Sequence, residues 1–255
     1  MEKLLEFLAE LVKVLFGVNS ESPAPEKPRE TPVEETVTGW EGDPPYRYID
    51  VSRWQGTIDW EKVKSTEYRG VMLRALGNKG GNPYFDPCFE KNYAGAKAAG
   101  LDVGVYWYSV TTTQAGLNAE LSMLKEAVRG KELTLPVAMD VEDSRLAVLN
   151  TQELTDHVAT ALHEIEQMGF YAQLYTYTSY ANVHLDMARL AGRWDVWMAD
   201  YTGKTPKVDF KYNAHQHTSE GRVPGISGNV DLNVTTLNYP RIIRKKGLTR
   251  LREGK

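Results

Sequence analysis

Short runs of apolar and β-branched residues alternate with longer helical segments along most of the chain, and this alternation limits the possible folds more than any other feature. Three helical segments, each followed by a glycine in the position of a helix C-cap, are Asp86–Ala99, Thr113–Arg129 and Thr151–Met168. Eight runs read as strands: Tyr46–Val51, Gly70–Ala75, Val103–Ser109, Leu135–Val141, Tyr171–Thr176, Asp195–Ala199, Asn213–His217 and Asn229–Leu232. Strand–helix alternation predicts parallel strands, and eight of them predict an α/β fold with a TIM-barrel-like (β/α) barrel.

The second half of this barrel is predicted to be irregular. Its connections are short or rich in glycine, and the segment Thr218–Gly228 also contains a proline. Such segments cannot form full crossover helices. We therefore expect helices to be missing from the later part of the barrel.

The first 45 residues differ in composition from the rest. Leucine and valine recur at helical spacing over residues 1–17, but charged side chains interrupt them, which predicts an amphipathic helix and gives no clear signal peptide. Such a helix could dock on its own domain, on another copy of the chain or on a membrane surface. Residues 18–45 contain six of the chain's twelve prolines together with many glutamates, which predicts an extended linker. The barrel is then expected to span residues 46–240.

Charge is distributed unevenly. The net charge of −4 gives no indication of nucleic-acid binding. Residues 241–255, however, carry seven basic side chains and one acidic side chain, and we interpret them as a basic C-terminal tail. A tail of this kind could contact an anionic polymer or could simply be a solvated end.

Reactive side chains cluster at the predicted strand ends. In barrels of this type the catalytic residues lie at the C-terminal ends of the strands. Four such ends supply five carboxylates, namely Asp50, Asp140, Glu142, Asp200 and Asp231. The other polar and aromatic side chains at strand ends are Arg74, Tyr106, Tyr108, Tyr175, Tyr201 and Gln216. The sequence therefore predicts one acidic, tyrosine-rich site, although core packing remains an alternative for each aromatic.

The triplet Asp140-Val141-Glu142 is the sharpest element of this site. Residues i and i+2 of a strand point to the same side, with Cα atoms roughly 6.5–7 Å apart. Two carboxylates that close disfavour double ionisation, so one holds its proton. A glycosidase needs this combination of a carboxylic acid and a carboxylate. An acidic pair could instead bind a hard cation such as Mg²⁺ or Ca²⁺.

Several motifs, in order, resemble glycoside hydrolase family 25, which contains the Chalaropsis-type lysozymes and many phage endolysins. They are IDVSRWQGTIDW at 49–60, Arg74-Ala75, GVYWYS at 104–109, AMDVE at 138–142, LYTY at 174–177, WMADY at 197–201 and GNVDLN at 228–233. The similarity covers roughly Tyr46 to Tyr239. Where that family usually has a W-Q-Y pattern, this chain has His215-Gln216-His217. We expect that change to affect the shape of one subsite and not the reaction.

The resemblance implies a peptidoglycan hydrolase that cuts the β-1,4 bond between N-acetylmuramic acid and N-acetylglucosamine at the bacterial cell wall, without a cofactor. It implies that Glu142 is the proton donor and that Asp140 orients or stabilises the acetamido group or its oxazolinium-like intermediate. Asp50, Asp200 and Asp231 would be further acids of the groove. Tyr108, Tyr175 and Trp197 would contact sugar.

Two other hypotheses remain open. A chitinase-like enzyme of glycoside hydrolase family 18 also uses an Asp-x-Glu pair, but here Leu135–Met139 precedes the pair in place of that family's longer motif. A catalytically silent glycan-binding module is the second alternative. Retention of all five acids argues against it, since a pure binder has no need for a protonated carboxyl.

Overall fold

The structure, a computed structural model, describes residues 45–252 and consists of a closed barrel with one extra edge strand. The strands are β1 (Tyr46–Val51), β2 (Gly70–Lys79), β3 (Asn82–Phe85), β4 (Asp102–Tyr108), β5 (Val137–Asp140), β6 (Ala172–Tyr177), β7 (Asp195–Ala199), β8 (Ala214–Gly221) and β9 (Val230–Thr235). Pairing follows the order β1-β9-β8-β7-β6-β5-β4-β2-β3, and the contact between β1 and β2 closes the barrel. The predicted β/α barrel is confirmed.

The helices are unequal in the two halves of the barrel. In the described residues they are α1 (Trp60–Lys64), α2 (Phe89–Ala98), α3 (Gln114–Ala127), α4 (Thr151–Met168), α5 (Thr178–His184), α6 (Met187–Ala191) and α7 (Tyr239–Lys245). Helix α4 has 18 residues, whereas α5 and α6 have seven and five. Within the described chain no helix joins β7 to β8 or β8 to β9. The irregular second half is thus confirmed.

Strand β9 corrects the expectation that all barrel strands are parallel. It runs antiparallel to both of its neighbours, β1 and β8. The reason lies in the connection, since residues 222–229 alone separate β8 from β9. A parallel crossover needs a dozen or more residues, whereas a hairpin needs only a few. The chain therefore turns back on itself, and the first residues of β9 lie at the same end of the barrel as the last residues of β1.

A second hairpin was not predicted. Strand β2 continues beyond Ala75 to Lys79 and turns through Gly80 and Gly81 into the edge strand β3. Both glycines have positive φ, 61° and 89°, which side chains other than glycine rarely adopt. The predicted helix at Asp86 begins three residues later, at Phe89. This hairpin extends the barrel rim above the end of β2.

Two layers of side chains form the core. The larger layer fills the space between the strands and the surrounding helices. The smaller layer fills the barrel interior and includes Tyr48, Met72 and Trp197, each at most 1% exposed. Tyr239 and Ile243 of α7 belong to this inner layer and close the barrel end at which the parallel strands begin. The opposite end is left open for a site.

The C-terminal segment corrects the boundary at residue 240. Helix α7 begins at Tyr239 and continues to Lys245, so the proposed basic tail starts inside a packed helix. Beyond it, the Leu133 amide donates to the Thr249 carbonyl at 2.8 Å, and the Arg252 amide donates to the Met168 carbonyl at 2.8 Å. Residues 241–252 are therefore attached to the closed end of the barrel, and their cationic side chains lie on its surface.

The predicted helix at 1–17 and almost all of the predicted linker at 18–45 lie outside the described residues. Among the helices of residues 45–252, none combines the length and the apolar character that a bilayer crossing requires.

Candidate active site

Four of the five predicted acids line one cavity at the open end of the barrel. The cavity has a volume of about 400 Å³, and its walls include Asp50, Asp140, Glu142 and Asp231. Asp50 and Asp140 lie near the C-terminal ends of parallel strands, as expected. Asp231 reaches the same rim by a different route, because it lies at the start of the antiparallel β9, opposite Asp50 in the register.

Asp50 is held by two amide side chains at the base of this cavity. Its Oδ2 accepts hydrogen bonds from Gln216 Nε2 and Asn233 Nδ2, both at 2.8 Å. Tyr175 and Tyr201 donate to Gln216 Oε1, and Trp197 Nε1 donates to Asn233 Oδ1 at 2.8 Å. The tyrosines and the tryptophan therefore fix which way each amide faces, so that both NH₂ groups point at Asp50.

Asp50 and Asp231 share a hydrogen bond and hence a proton. Burial, followed by the charge of Asp231, raises the pKa of Asp50 well above its usual range. Burial also raises the pKa of Asp231, but the hydrogen bond from Asp50 lowers it in part. The pKa values of both carboxyls are therefore raised, and the pair holds one proton between them. Two carboxylates this close in a buried site cannot both ionise readily.

Glu142 keeps a proton near neutral pH. Burial, together with the charges of Asp231 and Asp143, raises the pKa of Glu142 to about 7. Asp140 is only 5% exposed, and burial together with the charges of Glu142 and Asp50 raises its pKa well above the usual range. From the sequence we expected the negative charge of Asp140 to keep Glu142 protonated. The structure instead gives that role first to burial and then to Asp231 and Asp143.

Asp200 lies apart from this cluster. It lines an adjoining groove that it shares with Glu142, Tyr177 and Tyr201. Its burial raises the pKa, but hydrogen bonds from Thr202 and Thr178 lower it by more, so the net shift is downward. Asp200 is therefore a carboxylate at neutral pH and does not join the four acids of the cavity.

The aromatic residues divide into buried and accessible groups. Trp197 is 1% exposed and its ring packs edge-on against Tyr175, with ring centres 4.7 Å apart. Little of that ring can stack on a sugar, so the expectation that Trp197 is a sugar platform is not supported by its burial. Tyr201 is 52% exposed beside Glu142. Tyr106 and Tyr108 also line the cavity, and Tyr108 donates to Asp143.

Arg74 lines the cavity but is already paired. Its Nε and Nη2 lie 2.8 and 2.7 Å from Asp86 Oδ2, and the Asp86 side chain is buried. Asp86 also accepts from the backbone amides of Arg53 and Cys88, at 3.0 and 2.9 Å. Arg74 therefore ties β2 to the loop after β1 and brings little uncompensated charge to the site.

Sequence reasoning missed several residues of the site: Asp86, Asn233, Asp143, Trp54 and Tyr84. The period-two signal could have found Asn233, which lies two residues after Asp231 on the same strand. Asp143 directly follows Glu142, where its carboxylate pairs with Arg145 at 2.7 Å. Asp86 and Tyr84 depend on the unpredicted hairpin, so no strand-end rule pointed to them.

The two histidines flanking Gln216 do not shape this cavity. Gln216 points inward, and His215 and His217 therefore point to the outside of β8. There they line a separate hollow with Tyr212 and Val234. His215 Nε2 does lie 3.0 Å from the carbonyl of Asp200, so an effect of this departure on a subsite stays a prediction for the adjoining groove. No group of three or more His, Cys, Asp or Glu side chains in residues 45–252 is arranged to hold a metal ion.

A barrel whose open end combines a carboxylic acid protonated near neutral pH with further carboxylates is the arrangement of a glycoside hydrolase. The chain belongs to the glycosyl hydrolases family 25, whose family model matches residues 49–226. This match confirms the resemblance seen in the motifs and does not support the chitinase-like alternative.

The chain is also similar to individual proteins. The uncharacterised protein YegX of Escherichia coli K12 is 30% identical over 189 residues, which cover 73% of this chain and 68% of YegX. The autolytic lysozyme of Clostridium acetobutylicum is 28% identical over 184 residues, covering 72% of this chain and 54% of that protein. The crystal structure of a lysozyme from Streptomyces coelicolor aligns with a TM-score of 0.69 and 25% identity, covering 79% of this chain and 96% of the other.

Proposed function

We propose that this chain is a lysozyme that hydrolyses the β-1,4 bond between N-acetylmuramic acid and N-acetylglucosamine in bacterial peptidoglycan, with Glu142 as the acid. The observation that carries the proposal is the state of Glu142, whose pKa is raised to about 7 at the junction of the acidic cavity and the adjoining groove. A glycan strand lying across both would present its scissile bond to this side chain. A silent binding module has no use for such a group.

In this mechanism Glu142 donates its proton to the glycosidic oxygen as the bond breaks, and positive charge grows on the sugar left in the cavity. Asp140 lies on the same side of the strand end and has an oxygen, Oδ1, without a hydrogen-bond partner. Asp140 also lines the cavity, and its carboxyl group is proposed to orient the acetamido group or to stabilise an oxazolinium-like intermediate. After the first sugar leaves, Glu142 can accept a proton from the attacking water.

The remaining residues are proposed to hold the substrate. Asp231 supplies negative charge beside Glu142, and Asp50 with Gln216 fixes its position. Tyr106, Tyr108 and Tyr201 provide ring surface beside the acids, which suits sugar faces. Tyr175 also lines the cavity, but it is 7% exposed and its hydroxyl donates to Gln216. Asp200 remains ionised in the adjoining groove and can accept hydrogen bonds from sugar hydroxyls there. Arg74 and Trp197 act indirectly, through Asp86 and Asn233.

We place the site of action at the bacterial cell wall, and propose that the cationic C-terminal segment contacts anionic wall polymers. Arg241 and Lys245 are exposed on α7. Changing both to glutamine should weaken retention on wall at low salt, since surface attraction is screened by ions. Unchanged retention would remove this role. We retain the proposals of a helix at 1–17 and a linker at 18–45, with membrane-surface contact by the helix.

Mass spectrometry of the products tests the reaction directly. The protein is incubated with purified peptidoglycan and the soluble fragments are reduced and weighed. N-acetylmuramic acid at the new reducing end is the expected result. N-acetylglucosamine at that end would assign the other bond, and no new reducing ends would favour a binding module.

A further inference from the structure

One end of the substrate cavity is cationic and aromatic, in contrast to its acidic centre. Arg53, Trp54 and Tyr84 line the cavity that holds Glu142. Arg53 and Tyr84 also line a smaller hollow on the outer side, together with Lys79 at the tip of the β2–β3 hairpin. The two hollows therefore adjoin at Arg53 and Tyr84. We call the four residues Arg53, Trp54, Lys79 and Tyr84 the cationic rim.

The positive charge of the cationic rim is uncompensated. The Arg53 guanidinium carbon lies 4.6 Å from the centre of the Trp54 ring and 5.3 Å from that of Tyr84. Across residues 45–252, neither Arg53 nor Lys79 has a carboxylate within ion-pair distance. Arg74, which lines the same cavity, is by contrast neutralised by the buried Asp86. The rim thus has cations available for a ligand.

The backbone beneath the cationic rim is fixed before any ligand arrives. The Arg53 amide donates to Asp86 Oδ2 at 3.0 Å, which anchors the loop after β1 to the hairpin. Tyr84 lies across Gly77 so closely that a Cβ there would meet the tyrosine Oη at 2.5 Å. Trp54 is 73% exposed, so its ring is not a core residue. Arg53 is exposed, so its guanidinium, which contacts both rings, remains accessible to a ligand.

We propose that the cationic rim binds a carboxylate of the peptide carried by the muramic acid residues of the substrate. This inference rests on the proposed function, because it assigns a further part of the same substrate. A guanidinium stacked on aromatic rings keeps its N–H edge free to bind a carboxylate in a bidentate manner. Each muramic residue bears a peptide with free carboxyl groups, and the hollow that adjoins the cavity at Arg53 and Tyr84 gives such a peptide room to lie. The acidic centre would repel those carboxylates toward it.

The test compares two glycan substrates, both freed of phosphate-containing polymers with hydrofluoric acid. One retains its peptides, and the other has been stripped of them with an amidase. Wild type, Arg53→Gln, and the Arg53→Gln/Lys79→Gln double variant are measured on both. Arg129→Gln is the matched control, since that arginine is exposed at the end of α3 on the far side of the barrel.

On the peptide-bearing glycan, Arg53→Gln should raise KM about five-fold and the double variant more, with kcat unchanged, because the interaction is made equally before and during the reaction. On the stripped glycan both variants should match wild type. Added salt should raise the wild-type KM on the peptide-bearing glycan and should have little effect on that of Arg53→Gln. Amidation of the peptide carboxyls should raise the wild-type KM to the same extent as Arg53→Gln does.

Equal losses on both glycans, or no loss on either, would overturn this inference while leaving the proposed function in place. If wild type released no reducing ends from either glycan, both the proposed function and the peptide site would fall. A loss that persists after amidation of the carboxyls would assign the rim to another part of the peptide and overturn the carboxylate assignment.

Discussion

The two ends of the barrel each bury an aspartate, but they surround it with different numbers of hydrogen-bond donors. Asp195 at the closed end is 8% exposed, and Asp140 at the open end is 5% exposed. Four donors surround Asp195: Gln173 Nε2 and Tyr239 Oη reach Oδ2, while Asn213 Nδ2 and the Val196 amide reach Oδ1. Asp140 Oδ1 has no such partner, and the charges of Glu142 and Asp50 act on it.

This difference separates two uses of the same side chain. At the closed end, burial raises the pKa of Asp195 but four hydrogen bonds offset part of that rise, and the aspartate links β6, β7 and α7 into one unit. At the open end, burial is left uncompensated, so protons are retained where a reaction needs them. Proteins commonly give up stability at functional sites in this way. Changes at the two ends should therefore affect different measurements.

The largest effect is expected for Glu142→Gln. The amide keeps the shape of the side chain but has no proton to release to the leaving oxygen, so turnover on purified wall should fall by about 10²–10⁴-fold or more. Binding of glycan and the thermal midpoint should change little. A variant that keeps more than about a tenth of wild-type turnover would mean that another carboxylate is the acid.

At the closed end the corresponding change is Asp195→Ala, which should reduce the free energy of unfolding by about 3 kcal/mol or more. It removes the acceptor of the buried Tyr239 hydroxyl and of the partly buried Asn213 amide, while Gln173 Nε2 keeps only Tyr239 Oη as a partner. The specific activity of the protein that remains folded should be near that of wild type. Urea denaturation with Asp209→Ala as control measures this, because Asp209 is exposed and its loss should cost less than about 0.5 kcal/mol. A large loss of kcat in fully folded Asp195→Ala would mean that the closed end also contributes to turnover.

Asp140→Asn is predicted to lose activity and to gain stability at alkaline pH. The folded protein raises the pKa of Asp140, so the carboxyl contributes its full stability only below its unfolded pKa and loses it as pH rises. A neutral amide avoids that loss. We expect a gain of about 0.5–2 kcal/mol at pH 8, shrinking toward zero near pH 4. Urea denaturation at both pH values measures this gain. If wild type and the variant were equally stable at pH 8, the site would offset the cost of burying the Asp140 carboxylate.

Much of the open end could be predicted because strands obey a simple rule. Asp50, Asp140 and Glu142 follow from strand positions and period-two alternation, and the cavity contains all three. Asp231 was placed correctly for the wrong reason, since we expected the end of a parallel strand and found the start of an antiparallel one. The start of β9 and the end of β1 lie at the same end of the barrel, so the wrong strand direction did not change the position predicted for Asp231.

The closed end and the hairpin could not be predicted from local patterns. Residues 241–255 have the composition of a tail, but Tyr239 and Ile243 are buried because they complete the barrel interior, a long-range contact. Asp86 precedes a helix and looks like an ordinary loop acid, although its side chain holds Arg74. Asp143 acts on Glu142 through space. Pairings of this kind depend on the folded arrangement and not on spacing along the chain.

The smallest predicted effect concerns the negative charges that raise the pKa of Glu142. Protonated Glu142 is the active form, and its pKa of about 7 predicts that kcat/KM falls as pH rises through about 7. Asp231 raises that pKa, so Asp231→Asn should lower it and move the alkaline limb of the profile to lower pH, by about one unit or less. Asp143→Asn should move the limb in the same direction, since its charge also raises the pKa.

The residual activity of each variant is followed from pH 4 to pH 9 on soluble glycan, with Asp209→Asn as the control. The position of the limb is read independently of its height, because both substitutions will also reduce turnover. An alkaline limb that stays in place in Asp231→Asn and moves instead in Asp140→Asn would make the near neighbour on β5 the controlling charge. The contrast between the two ends of the barrel would still hold after that result. The pKa of Glu142 would then be set by Asp140 on β5 and not by Asp231, which the pairing of β9 with β1 brings to the site.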